Sequence, residues 1–107
     1  MNEKSWFTYI IATDDGQLYT GITTDMTRRW QQHSCGKGAR YFRGRHPFCL
    51  CYLETQENRS LASRREAFIK SLPRQQKWEL IHQQYTQTQN TLTTQELPLY
   101  DPKTPFV

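Results

Sequence analysis

The sequence predicts a small α/β domain, a short three-stranded sheet flanked by helices in the order β-β-α-β-α-α. Two β-rich segments joined by an Asp-Gly turn open the chain, and apolar residues at helical spacing follow. Gly and Pro then punctuate the later elements. A length of 107 residues allows one modest core. With 22% charged and 13% aromatic residues the composition is globular rather than disordered.

Residues 5–12, rich in aromatic and β-branched side chains, read as a first strand. Asp14-Asp15-Gly16 is a turn signal, and residues 17–21 return as the second strand of an antiparallel hairpin. Thr23, Thr24 or Asp25 can cap the first helix, on which Met26, Arg29, Trp30 and His33 share one side. Gly36 and Gly38 stop it. A basic loop runs through His46-Pro47, and residues 48–54 form the third strand. Ser60 is the expected cap of a second helix reaching about Leu72, with Leu61, Phe68 and Leu72 as its apolar stripe. Ala62 and Ile69 fall on one flank of that stripe and Glu66 lies just beyond them. Arg65 lands inside the stripe, where only a snorkelling side chain explains it. Pro73 opens a third helix with Trp78, Ile81 and Tyr85 on its apolar side.

After Tyr85 the character changes to Gln and Thr, followed by Pro98, Pro102 and Pro105. The expected organisation is a domain over residues 1–85 and a poorly ordered tail over 86–107, dispensable for folding and chemistry. Leu97, Leu99, Tyr100 and Phe106 are the tail residues able to dock.

Three cysteines, an odd number, argue against a disulfide framework and for a reducing compartment. Met1-Asn2-Glu3-Lys4 leads directly into the first strand without a secretory apolar region, and no apolar run approaches the roughly 20 residues of a membrane span. Cytoplasm is the expected location. Cys49 and Cys51 point to one strand face and are expected as buried thiols, since a metal set with Cys35 or His46 would have an unusual spacing.

The net charge is +4, and its distribution is informative. Between residues 26 and 53 there is no carboxylate, while Arg28, Arg29, Lys37, Arg40, Arg43 and Arg45 all fall there. Such a one-signed stretch suits a polyanion. Lys37, Arg40, Arg43 and Arg45, interleaved with Tyr41 and Phe42, read as a loop that grips a nucleic-acid backbone, with the two rings as stacking platforms or as a core plug.

Leu18-Tyr19-Thr20-Gly21-Ile22-Thr23, then Arg28-Arg29-Trp30-Gln31-Gln32-His33, with Phe7-Thr8-Tyr9 upstream, together resemble the GIY-YIG nucleases. That family carries two tripeptides on its first two strands. Tyr19-Thr20-Gly21 stands for the second, and Phe7-Thr8-Tyr9 for the first, keeping only its tyrosine. Gly36-Lys37-Gly38-Ala39-Arg40 is similar to the pattern of small stand-alone members.

The resemblance implies a metal-dependent endonuclease that hydrolyses phosphodiester bonds, with DNA favoured over RNA and structure-selective repair or recombination as its setting. It implies Glu66 as ligand to Mg²⁺ or Mn²⁺, and Arg29 on the scissile phosphate. Tyr19, with Tyr9 as second candidate, would orient or deprotonate the attacking water, and His33 would join the same site. A tyrosine of ordinary pKa near 10 is a poor base at neutral pH, so a nearby cation is required. The asparagine that larger members carry after the glutamate helix is missing, because Leu72-Pro73-Arg74-Gln75-Gln76-Lys77 runs there. With no second domain, specificity falls to the loop, the tail or a partner protein. The rival expectation is a nucleic-acid-binding module of the same fold with little or no catalysis.

Overall fold

The computed structural model describes residues 5–88 and 97–102. Its elements are β1 (Trp6–Thr13), β2 (Leu18–Thr23), α1 (Met26–Ser34), β3 (Pro47–Gln56), α2 (Arg59–Lys70) and α3 (Arg74–Thr88). The order is the expected β-β-α-β-α-α, with one 3₁₀ turn, Arg40–Arg43, inside the basic loop.

The sheet is antiparallel with order β2-β1-β3, so β1 is central. Residues 8–13 of β1 are wholly buried because both sheet faces are covered. Ile10, Ala12, Cys49 and Cys51 pack with Ile69 of α2 and Ile81 of α3. On the other face Tyr9, Ile11 and Leu50 pack with Met26 of α1 and with Phe42 and Leu97. A register shift between Ile10 and Ile11 makes room for Cys51 as an extra residue on β3. Cys49 and Cys51 are indeed buried thiols, their sulfurs 3.7 Å apart.

Local signals explain the boundaries. Asp25 is the cap of α1, accepting the Arg28 N–H at 3.0 Å, and Gly36 ends the helix with a positive φ of 76°. Asn58, rather than Ser60, caps α2, its Oδ1 accepting the Leu61 N–H at 2.9 Å.

The buried face of α2 also differs from the expected stripe. Ala62 and Ile69 are buried, whereas Leu61 and Phe68 are exposed. The small Ala62 lets the helix approach the sheet closely enough for Thr8 Oγ1 to donate to its carbonyl at 3.2 Å. Arg65 then bridges to β3, donating to Glu54 at 2.8 Å and to the Tyr52 hydroxyl at 3.3 Å. The polar residue inside the supposed stripe is thus an interlayer tie. This rotation carries Glu66 toward the sheet, since at about 100° per residue it lies next to the Ala62–Ile69 line.

The boundary expected at residue 85 falls inside α3, and residues 97–102 lie along β3. The Leu50 N–H donates to the Pro98 carbonyl at 2.7 Å, the Tyr100 N–H donates to the Leu50 carbonyl at 3.0 Å, and Leu97 is 7% exposed. Tyr100 packs against Trp78 and Tyr85. Phe106 lies outside the described residues. If residues 97–102 are part of the core, Leu97→Ala should cost about 2 kcal/mol. The expected readout is a lower denaturant midpoint at unchanged slope. An unchanged midpoint would make this segment a passenger.

Candidate active site

Tyr9 and Tyr19 come together because of strand register. Tyr9 pairs with Gly21 and Ile11 with Tyr19, so the two tyrosines are diagonal neighbours on one face, ring centroids 6.2 Å apart. A Cβ on Gly21 would sit 2.5 Å from the Tyr9 hydroxyl oxygen and 3.0 Å from the Tyr19 ring. The glycine of Tyr19-Thr20-Gly21 is therefore the floor on which Tyr9 lies.

α1 supplies the next two groups. The His33 ring is 1% exposed, with Nε2 2.9 Å from the Tyr9 hydroxyl. Its Nδ1 accepts the Ala39 backbone N–H over a long 3.4 Å. Arg29, one turn earlier, is held by Gln32 Oε1 at 3.0 Å and by the Ile22 carbonyl at 3.4 Å, and it also reaches the Tyr9 hydroxyl. Glu66 comes from α2, which packs across β1 and the edge strand β2. Its carboxylate is near enough to act on both phenols and is paired with Lys70 at 3.1 Å. Tyr9, Tyr19 and His33 are thus in contact, Arg29 reaches Tyr9, and Glu66 acts on both tyrosines through its charge. Lys70 is an addition, and its only signal in the sequence was the i, i+4 spacing from Glu66.

Burial dominates the electrostatics. It pushes the Tyr9 hydroxyl well above its ordinary pKa and Tyr19 adds to the rise, while the charge and hydrogen bond of Arg29 pull downward without prevailing. Tyr19 is raised less, because Lys70 and Arg29 oppose burial and Glu66. The cation thought necessary to make a tyrosine basic is present, and it is outweighed. For His33, burial and then the Arg29 charge lower the pKa from 6.5 to about 4, so the ring is neutral at physiological pH.

The basic loop is built into this site. Phe42 is 2% exposed and stacks on His33 at 4.2 Å and edge-on to Tyr19 at 5.1 Å, so it is the core plug. Tyr41, half-buried, lies at 5.2 Å from Tyr19 and carries Arg45 over its ring at 4.6 Å. The carboxylate-free window is not carboxylate-free in space. Arg45 Nε donates to Asp15 from the β1–β2 turn at 2.9 Å, and the His46 N–H donates to Asp14. Lys37, Arg40 and Arg43 are exposed and form no ion pair among the described residues.

Among the described residues no group of three or more His, Cys, Asp or Glu side chains converges on one point. Both His33 nitrogens are engaged, so of the five residues Glu66 is the one whose side chain would hold a hard cation. One carboxylate fits a hard dication that keeps most of its shell as water and phosphate oxygen, and does not fit zinc.

Two phenols, a guanidinium and a carboxylate thus stand at a partly buried site beside an edge strand. The chain matches the GIY-YIG catalytic domain over residues 5–79 and belongs to that family, a nuclease superfamily whose members generally use divalent metals. It is 45% identical to the UPF0213 protein YhbQ of Escherichia coli O127:H6 over 94 residues, 86% of this chain and 94% of that one. Identity to the YhbQ protein of Shigella boydii serotype 18 is 49% over 76 residues, 71% of this chain and 76% of the relative. The solution NMR structure of the UPF0213 protein BH0048 from Bacillus halodurans is similar at a TM-score of 0.52 and 37% identity, covering 85% of this chain and 97% of that one. No helix among the described residues is long and apolar enough to cross a membrane.

The histidine sets an acid limit on stability. The unfolded chain binds a proton at His33 near pH 6.5 and the folded one only near pH 4, so this contribution is present above 6.5 and lost as pH falls toward 4. The melting temperature should drop over that window, and His33→Gln should flatten the drop. Parallel curves for the two proteins would show that His33 does not carry it.

Proposed function

We propose that the protein is a divalent-metal-dependent endonuclease that hydrolyses phosphodiester bonds, DNA before RNA. The observation that carries this reading is the convergence of Tyr9, Tyr19, Arg29, His33 and Glu66 beside one edge strand. A carboxylate facing phosphate is repulsive unless a cation joins the two, and a pure binding surface has no use for it. Glu66 would hold Mg²⁺ or Mn²⁺, which when bound supplies Lewis-acid charge to the phosphoryl oxygens and lowers the pKa of nearby water.

The chain's own side chains do the remaining work. Arg29, a planar and permanently charged fork, binds the phosphate and neutralises charge that builds on it. Tyr19, less raised than Tyr9 and only half-buried, orients the attacking water. Tyr9 keeps its proton and offers a hydrogen bond. Exclusion of water by Tyr9, His33 and Phe42 strengthens each of these interactions.

A specific observation also favours the binding-module reading. Both phenols lie above their ordinary pKa, and Glu66 is already paired with Lys70. Glu66→Gln separates the two. It should lower metal-dependent cleavage about a hundredfold or more, the scale of one lost electrostatic group. Thermal stability should hardly change, since an i, i+4 surface pair is worth only about 0.3–0.5 kcal/mol. A cleavage assay on single-stranded, duplex and branched DNA and RNA, with Mg²⁺, Mn²⁺ and EDTA, reads the outcome. Undiminished cutting by the variant, or no metal-dependent cutting by the parent, would leave the binding module as the better account.

For binding we assign Lys37, Arg40 and Arg43 as the principal phosphate contacts, with Arg45 held back by Asp15 and Tyr41. Each contact should add about −0.9 to the slope of log K against log salt on duplex DNA. Arg40→Ala with Arg43→Ala should flatten it by up to about two units, and Arg45→Ala by much less. Equal effects of all three would mean that the Arg45–Asp15 pair opens on binding.

A further inference from the structure

The His33 ring is buried by packing, and each of its nitrogens faces one hydrogen-bond partner. Phe42 stacks on it, Tyr19 meets it edge-on at 5.4 Å, and a Cβ on Gly38 would overlap it. Ala39 presents a backbone N–H to Nδ1, and a backbone N–H can only donate. Nδ1 must therefore be the unprotonated nitrogen, which puts the ring's single proton on Nε2, facing the Tyr9 hydroxyl oxygen at 2.9 Å. Tyr9 must accept there, so its own proton points away from His33; Arg29 and Glu66 both act on the same hydroxyl.

We propose that His33 is a positioning residue and not a proton carrier: the Ala39 N–H fixes it as the Nε2–H tautomer, and its donation to Tyr9 turns the Tyr9 proton toward the substrate phosphate. The catalytic part of this statement rests on the nuclease reading above, and the tautomer does not. The titratable and charged groups facing the ring are Tyr9 from β1, Tyr19 from β2 and Arg29 from α1. None of them carries a negative charge that would favour the imidazolium near neutral pH. The loop that presents Lys37, Arg40 and Arg43 to a strand is also the loop that sets this tautomer, so the grip on nucleic acid and the orientation of Tyr9 share one piece of backbone.

Long-range ¹H–¹⁵N spectra of the labelled protein test the tautomer without any cleavage assay. The expected result is an unprotonated Nδ1 and a protonated Nε2 for His33, unchanged between about pH 5.5 and 8, where free imidazole titrates. A protonated Nδ1, or a midpoint near the ordinary value, overturns the proposal. The positioning role is tested by His33→Gln, which keeps an N–H donor at the end of the side chain, against His33→Leu, which has none. Gln should lose about tenfold in kcat, the cost of one imperfect hydrogen bond, with KM unchanged, and Leu should lose more. Loss of a proton carrier would cost both variants alike, by about 10²–10⁴-fold. Equal losses therefore overturn the positioning role even if the tautomer is as expected. Should the parent protein cut nothing, the nuclease reading fails while the spectra still decide the tautomer.

Discussion

Tyr9 has to be buried and yet present a hydroxyl, and both demands are met because its ring lies over the one β2 position without a side chain. Gly21 opposite Tyr9 is the constraint from which the site follows. A strand slip of one residue would turn Tyr9 to the opposite sheet face and put a side chain where the ring now lies. Double burial of β1 makes such a slip costly, since residues 8–13 have no exposed face to exchange for a buried one. The precision of the site is thus inherited from the core.

The same burial decides the chemistry of the phenols. Arg29 sits where it can lower the Tyr9 pKa, but withdrawal from water acts more strongly in the opposite sense. A tyrosine so placed is a hydrogen-bond donor at neutral pH and not a base. Lys70 beside Glu66 gives the carboxylate a counter-ion, so it is not an isolated buried anion. A dication would have to displace that ammonium, which is exposed and weakly held.

Much of this was legible in the chain because it depends on local spacing. Ten residues from Tyr9 to Tyr19 across an Asp-Gly turn fix a diagonal pair, and four residues from Arg29 to His33 fix one helix face. What escaped was set by tertiary approach. The apolar stripe of α2 pointed to Leu61 and Phe68, but a close helix–sheet contact selects a small residue, and Ala62 with Ile69 took the buried face. Arg65 was unexplained in sequence because its partners, Glu54 and Tyr52, lie on another element. The basic window was one-signed only along the chain, and the hairpin turn returns Asp15 to Arg45. Residues 97–102 read as part of a poorly ordered tail because Leu97, Leu99 and Tyr100 in a Gln/Thr/Pro context carry no periodicity, and the β3 residue that Leu99 pairs with, Leu50, is 49 residues away in chain order.

The loop between α1 and β3 interleaves exposed charge with residues that enclose His33. Lys37, Arg40 and Arg43 are exposed and form no ion pair among the described residues. Between them stand Gly38, Ala39 and Phe42, which face inward on His33. Gly38 leaves room for the ring, Ala39 gives it a proton donor, and Phe42 closes it from water. Because the two sets alternate within seven residues, the backbone that presents the three charges is the backbone that encloses His33. On the proposed function, discrimination between nucleic acids would come from the geometry of this loop rather than from its charge, since charge reads every phosphate alike.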